Sequence, residues 1–285
     1  MRRRDFIKGI AGSATIWPLV ARAQQVGRMQ TLGMLLPSAD SDQEFKSDLQ
    51  TLSLELEKLG WKDGRNVKFE YRWGANDAAR MREFARELVR MAPDVLFASS
   101  TPASSALHLE TNLIPIVFVQ VADPIGPGFI VSLAAPGGNM TGLTNFEPSI
   151  GGKWLETLKE IAPQVQRVAL LFNPQTTPEG GFYFLHPIEN AAASFGVQTI
   201  EMPLRNITEI EPALKSFAQN PNAGLVFLAD SFIAQHHNLF INLTAQYHLP
   251  AVYPFSLFVK EGGLISYGIN RTSEFRRTAS TSICR

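Results

Sequence analysis

The sequence has almost no cysteine, no excess charge of either sign and no long apolar run. Its one cysteine among 285 residues is Cys284, so the chain has no internal disulfide and no cysteine-ligated metal site. The 26 basic and 26 acidic side chains give a formal net charge of zero, which provides no support for binding to nucleic acid or to a membrane surface. Beyond residue 25 no segment is apolar enough to span a bilayer as a helix. A composition that is 45% hydrophobic and 18% charged is typical of a globular protein with a sizeable core.

The sequence also lacks the motifs of common catalytic sites. It has no Gly-x-Ser-x-Gly nucleophile elbow, and the glycines of residues 123–142 follow neither the dinucleotide-binding nor the P-loop spacing. We interpret that segment as a set of turns at a domain edge. His236, His237 and His248 suggest a metal site, but adjacent histidines on one helix point to different faces, so we favour solvent-facing side chains. The prediction is a protein with no catalytic residue, no cofactor and no metal.

The first residues have the three parts of an export signal. A twin-arginine pattern, Arg3-Arg4-Asp5-Phe6-Ile7-Lys8, is followed by a short apolar core and then by Ala21-Arg22-Ala23, a small-x-small cleavage site. We predict a twin-arginine signal peptide over residues 1–23, cleaved after Ala23. The mature protein is expected in the periplasm.

Strand-like and helix-like segments alternate along the rest of the chain. This alternation predicts an α/β fold with parallel sheets and helices on both faces. The predicted strands are residues 31–36, 66–73, 94–98, 114–119, 141–145, 167–172, 197–202, 224–228, 251–253 and 264–268. We expect two doubly wound lobes, residues 28–143 and 144–265, with a cleft and a hinge between them.

One stretch, residues 94–106, passes abruptly from a buried strand into small hydroxyl residues and a proline. Thr101 can cap the helix that follows, and Pro102 suits its first position. The free N–H groups and hydroxyls at this helix start suit the carboxylate of a small solute. Ligands of parallel sheets bind beyond the carboxyl ends of the strands. That rule places the following polar residues together, at the mouth of a site beyond the carboxyl ends of the strands: Ser38, Ser99, Ser100, Thr101, Gln120 and Asp123.

Strands of the second lobe also end in polar residues. Asn173 follows the strand at 167–172, and Asp230 closely follows the strand at 224–228. Asp230 is either the N-cap of the next helix or the acceptor of a ligand amine, and both roles are compatible. Tyr253 either lines an apolar pocket or belongs to the core.

Several segments together resemble a known family, the periplasmic solute-binding proteins of ABC transporters with the type I fold. Within that family the chain is similar to the branch that binds aromatic or other apolar amino acids. The segments lie in the family's order at residues 99–103 (Ser-Ser-Thr-Pro-Ala), 122–126 (Ala-Asp-Pro-Ile-Gly), 136–142 (Pro-Gly-Gly-Asn-Met-Thr-Gly), 172–174 (Phe-Asn-Pro), 250–254 (Pro-Ala-Val-Tyr-Pro) and 261–268 (Glu-Gly-Gly-Leu-Ile-Ser-Tyr-Gly).

The resemblance implies that the solute lies between two lobes that close on it. Ser100 and Thr101 would then hold its carboxylate, and Asp230, from the other lobe, would hold its amine. The implied partners are a small-molecule solute, here expected to be an amino acid, and an ABC permease in the inner membrane, with no nucleic acid and a monomeric protein.

The end of the chain departs from the family pattern. Such proteins continue further, with a helix and a strand that return to the first lobe. Here we predict that a helix begins near residues 273–277 in the return segment 266–285, and that the tail after it, residues 278–285, has no helical apolar stripe. A truncated or frame-shifted product is therefore expected, with the C-terminal part of the fold missing and the first lobe partly uncovered.

Two other functions fit an exported α/β protein. An enzyme such as a hydrolase or racemase would need a nucleophile with a base, or paired acids. A ligand-sensing partner of a membrane receptor would use the same cleft as a transport protein, and the sequence does not separate these two roles.

Overall fold

A computed structural model describes residues 28–282. The predicted signal peptide and its cleavage site lie outside the described residues. The chain forms two five-stranded sheets, all of whose paired strands are parallel, so the predicted α/β architecture is confirmed.

The first sheet has the strand order β2-β1-β3-β4-β5. Its strands and helices are β1 (Gln30–Leu36), α1 (Gln43–Lys58), β2 (Val67–Trp73), α2 (Ala78–Arg90), β3 (Val95–Ser99), α3 (Thr101–Glu110), β4 (Ile116–Val121) and β5 (Met140–Thr144). The second sheet has the order β10-β9-β8-β6-β7. Its elements are α4 (Ile150–Ile161), β6 (Arg167–Phe172), α5 (Phe182–Ala192), β7 (Gln198–Pro203), α6 (Ile207–Phe217), β8 (Ala223–Phe227), α7 (Ser231–Gln235), α8 (His237–Gln246), β9 (Ala251–Tyr253), α9 (Ser256–Lys260) and β10 (Ile265–Ser266). A final helix is α10 (Arg271–Ser282).

Helix starts follow the capping chemistry of the sequence. The Asp42 carboxylate accepts a hydrogen bond from the backbone N–H of Phe45 over 2.9 Å and begins α1. Asp77 accepts from two N–H groups at the start of α2. Carboxylate caps satisfy N–H groups that have no partner within the helix. Each of these two helices therefore begins directly after its aspartate.

Two strands differ from the prediction by two residues or more. β4 runs two residues later than expected, and β10 (Ile265–Ser266) is shorter than the predicted 264–268. Near the end of β4, Gln120 has φ +58° and the pairing with β5 shifts register between Phe118 and Val121. The helical segment of residues 231–246 is interrupted at His236, which separates α7 from α8.

The return segment forms a longer helix than predicted. The helix expected near residues 273–277 extends over Arg271–Ser282 as α10, and it buries Phe275 and Ala279 completely. The Phe275 ring packs edge-on against Phe45 of α1 at 5.6 Å and against Phe97 of β3 at 6.0 Å. Two apolar residues one turn apart are too short a stripe to recognise among hydroxyl and arginine residues. Helix α10 therefore packs beside α1 on one face of the first sheet.

The name lobe 1 is used below for the first sheet with α1 to α3 and α10, and lobe 2 for the second sheet with α4 to α9. Two segments connect the lobes, residues 145–149 and residues 267–270. None of the helices between residues 28 and 282 combines the length and the apolar character that a membrane crossing demands.

Candidate functional site

A cavity of about 450 Å³ lies between the lobes, at the carboxyl ends of strands from both sheets. This volume is within the range of about 300 to 1,000 Å³ that small-molecule sites occupy. Lobe 1, with the connecting residue Asn145, contributes residues that include Pro37, Ser38, Glu44, Asn76, Ser100, Thr101, Gln120 and Arg271. Lobe 2 contributes residues that include Thr176, Asp230, Ser231, Gln235, His237, Phe255 and Leu257.

Ser100 has an unusual backbone at the start of α3. Its φ is +86°, a conformation that few residues other than glycine adopt and that often marks functional sites. The conformation is held by a bond from its N–H to Val119 O and by two bonds that its carbonyl accepts from Ser104. Ser100, rather than the predicted Thr101, is the N-cap residue, but its side chain makes no capping bond. The buried Ser100 hydroxyl is therefore left without a partner.

Gln120 enters the cavity from the next strand. Its Oε1 accepts a hydrogen bond from the Ser99 hydroxyl over 2.8 Å. Ser99 itself is fully buried and does not line the cavity. Ser99 thus orients the Gln120 amide, whose nitrogen end is left as a donor.

Asp230 is a buried carboxylate with a complete set of donors from its own lobe. Its oxygens accept from the N–H groups of Ile233 (2.7 Å) and Asn173 (3.0 Å) and from the hydroxyls of Thr177 (3.0 Å) and Thr176 (3.2 Å). The bond to Ile233 makes Asp230 the N-cap of α7, one of its two predicted roles. Burial raises the pKa of Asp230 to about 6, although these four hydrogen bonds favour the ionised form.

Charged side chains form one wall of the cavity on the α1 side. The Arg271 guanidinium pairs with Asp48, lies 3.5 Å from Glu44 and covers the Phe45 ring at 5.5 Å. Burial raises the pKa of Glu44, against the influence of the Arg271 and Lys260 charges. Arg271 begins α10, so the return helix brings a cation to the cleft.

Unpartnered polar atoms are concentrated around this cavity. Within residues 28–282, seven buried side-chain N or O atoms have no hydrogen-bond partner, and five of them belong to residues that line it. These five are Asn76 Oδ1, Ser100 Oγ, Asn145 Oδ1, Ser231 Oγ and Arg271 Nη2, of which Arg271 Nη2 has an ion-pair contact with Glu44. Buried polar groups without partners are costly and rare, so the clustering of the other four indicates a candidate binding site.

The nine predicted site residues divide between the cavity and its support. Ser38, Ser100, Thr101, Gln120 and Asp230 line the cavity, whereas Ser99, Asp123, Asn173 and Tyr253 do not.

Of the four that do not line it, Ser99 orients Gln120, and the other three have structural partners. Asp123 Oδ1 accepts from two N–H groups of its own turn, at Ile125 and Gly126. Asn173 Oδ1 accepts a hydrogen bond from the backbone N–H of Gln175, and the Asn173 N–H donates to the Asp230 carboxylate. Tyr253 is buried and its ring stacks on Phe227 at 4.8 Å.

Sequence reasoning missed Asn76, Asn145, Ser231, Gln235 and Arg271. Asn76 and Asn145 closely follow the carboxyl ends of β2 and β5. The strand-end rule that selects Gln120 applies equally to both asparagines. Arg271 has no such signal, because its place depends on how α10 packs on lobe 1.

Comparisons with known proteins identify the family of the chain. The model of the family "ABC transporter substrate binding protein" matches residues 43–282. A curated relative, the "Tyrosine-binding protein" of Clostridioides difficile (strain R20291), is 26% identical over 215 residues, which are 75% of this chain and 61% of that protein. The chain therefore matches less than two thirds of that relative's length.

Solved structures share the fold. A conserved domain protein from Vibrio cholerae has a TM-score of 0.80 at 25% identity, with 89% of this chain and 83% of that chain covered. An ABC domain from Streptococcus pneumonia in complex with L-Trp has a TM-score of 0.80 at 20% identity, with coverage of 88% and 83%.

Proposed function

The chain belongs to the family of ABC transporter substrate binding proteins, and we propose that it captures an amino acid between its two lobes and delivers it to a membrane permease. Four buried polar atoms around one interlobe cavity, on Asn76, Ser100, Asn145 and Ser231, have no hydrogen-bond partner, and they carry this proposal. The named specificity of the tyrosine-binding relative and the L-Trp in the pneumococcal neighbour support an amino acid as the solute.

The start of α3 is the proposed carboxylate site. Ser100 offers a free hydroxyl, Thr101 a second one, and the first N–H groups of α3 have no partner within the helix. A helix N-terminus favours a negative charge. The strained Ser100 backbone is fixed by the strand and by Ser104, so the donors are in place before a solute arrives.

Asp230 is the proposed partner of the amine. Of the four hydrogen bonds that Asp230 accepts, the one from the Thr176 hydroxyl is the longest, at 3.2 Å, and Thr176 also lines the cavity. A solute ammonium that replaces this hydroxyl would leave the other three bonds intact. An ammonium would also stabilise the ionised carboxylate against the cost of burial.

The cellular context is proposed from the sequence. A twin-arginine signal would place the mature chain, from Gln24, in the periplasm as a monomer that binds one solute. The cavity wall of Phe255, Leu257 and proline residues suits an apolar side chain on that solute.

A thermal-shift screen of the mature chain against the twenty L-amino acids and small carboxylates tests the proposal. A solute at 100 times its Kd stabilises the folded protein by about 2.7 kcal/mol, so a specific one raises the Tm. The Thr101→Ala variant is expected to lose most of that rise, while Thr51→Ala, on α1 and outside the cavity, keeps it. A screen with no rise for any amino acid would contradict the proposal.

A further inference from the structure

The turn after β2 places Asn76 rigidly at the cleft. The backbone N–H groups of its three residues donate hydrogen bonds to the last residue of β1 and to the two residues after it. Gly74 N–H donates to Leu36 O (2.8 Å), Ala75 N–H to Ser38 O (3.1 Å) and Asn76 N–H to Pro37 O (2.6 Å). Asn76 has φ +54°, which asparagine tolerates better than most residues. Its side chain therefore leaves a fixed backbone.

The two ends of the Asn76 amide differ in their partners. Nδ2 donates to Gln235 Oε1 over 2.7 Å, which joins lobe 1 to helix α7 of lobe 2. Oδ1 is buried and accepts no hydrogen bond. Both Asn76 and Gln235 line the cavity, so one side chain contacts the opposite lobe and also presents a free acceptor beside the proposed solute site.

We propose that Asn76 couples solute capture to lobe closure: Nδ2 holds Gln235 across the cleft, and Oδ1 accepts a hydrogen bond from an N–H or O–H donor of the solute. This inference rests on the proposed function, since it assigns a new contact in the same cavity. Closure of the empty protein leaves Oδ1 buried without a partner, which disfavours the empty closed state. A solute donor supplies the missing bond, so closure becomes favourable when the cavity is filled.

The location of Gln235 connects this contact with the proposed amine site. Gln235 ends the short helix α7 that Asp230 caps. A solute bound to Asp230 and to Asn76 therefore contacts both ends of the connection between the lobes. Glu44 and Lys260 are a further pair across the cleft, since the Lys260 charge acts to lower the pKa of Glu44. Neither of these side chains combines a partner in the other lobe with an unpartnered buried atom.

Two variants and one control separate the contact of Asn76 with Gln235 from its proposed contact with the solute. Gln235→Ala removes the partner across the cleft and leaves Oδ1 in place. Asn76→Gly keeps a backbone that allows positive φ and removes both ends of the amide. Asn222→Gly is the matched control, because Asn222 has φ +55° in a turn outside the cavity. Each variant is first checked for a Tm within a few degrees of the wild type.

Isothermal titration of the mature chain with L-tyrosine and L-tryptophan measures the coupling. Gln235→Ala is expected to weaken binding about 2- to 10-fold, the effect of one hydrogen bond. Asn76→Gly is expected to weaken binding about 10- to 100-fold. A variant that combines Asn76→Gly with Gln235→Ala is expected to bind no more weakly than Asn76→Gly alone. Equal losses for the two single variants would overturn the solute contact, and unchanged affinity in Asn76→Gly would overturn the whole inference.

Small-angle X-ray scattering separates this inference from the proposed function. With a binding amino acid present, the wild type is expected to contract, and Gln235→Ala to contract less. If the wild type binds none of the twenty amino acids, the proposed function fails and the solute contact with it. If the wild type binds an amino acid and contracts but Gln235→Ala contracts by the same amount, the connection across the cleft is overturned while the proposed function stands.

Discussion

The indole N–H of Trp154 donates to the carbonyl oxygen of Tyr267 over 2.7 Å, so helix α4 of lobe 2 holds the segment that returns to lobe 1. The other connecting segment is held in a similar way. The Tyr183 hydroxyl shares its single proton between Phe146 O at 3.1 Å and Ala122 O at 3.2 Å. Each connection between the lobes is therefore held by a hydrogen bond from a buried or half-buried aromatic side chain.

Trp154→Phe is expected to lower the free energy of unfolding by about 2 to 4 kcal/mol. The substitution leaves the Tyr267 carbonyl without its donor, and it also leaves space in a core where Trp154 is fully buried. Urea denaturation measures the change. Trp61→Phe, at a half-buried position in lobe 1, is the control and should cost less. Equal costs would argue against a special role for the Trp154 contact.

Phe275→Ala tests whether α10 covers lobe 1. Phe275 is fully buried against Phe45 and Phe97, and removal of a buried phenylalanine ring costs about 3 to 5 kcal/mol. Arg276→Ala on the exposed side of the same helix should change stability by no more than about 0.5 kcal/mol. If Phe275→Ala denatures at the wild-type urea concentration, α10 does not pack on lobe 1 in solution.

The empty protein is expected to lose stability as the pH rises from 6 to 8. Burial raises the pKa of Glu274 from 4.5 to about 8, so the folded state holds a proton that the unfolded chain releases. The contribution is complete below pH 4.5 and is lost as the pH rises toward 8. The Tm at pH 6 should exceed the Tm at pH 8, and Glu274→Gln should flatten this slope. A Glu274→Gln protein with the wild-type slope would assign the effect to other groups.

Affinity for an amino acid is expected to fall below pH 6. The pKa of Asp230 is raised by burial to about 6, and a solute ammonium binds the ionised carboxylate. Each pH unit below 6 should therefore cost up to about tenfold in affinity. Titrations from pH 5 to 7.5 measure this, and Asp230→Asn identifies the group, because His237 also lines the cavity. If Asp230→Asn retains the wild-type dependence of affinity on pH, Asp230 is not the group that binds the amine.

Much of the fold follows from apolar spacing and from the polar residues that end each strand. The strand-end rule correctly predicts that Ser100, Gln120 and Asp230 line the cavity. The same rule also selects Asp123 and Asn173, because a polar residue that satisfies its own turn has the same sequence pattern as one that awaits a solute.

Other features depend on distant packing and have no local signal. The positive φ of Ser100 and of Gln120 is imposed by neighbouring strands. Arg271 reaches the cleft only because Phe275 fixes α10 on lobe 1. Asn76 and Gln235 are 159 residues apart in sequence, so their contact depends on the relative position of the two lobes.

The most direct test of the central claim compares L-tryptophan with L-tryptophanamide by isothermal titration on the mature chain, with L-tyrosine and its amide in parallel. The account predicts saturable binding of at least one of these amino acids at one per chain, and an affinity at least about tenfold weaker for its amide, because the start of α3 holds a carboxylate. Equal affinity for acid and amide, or no binding of either amino acid, would contradict it.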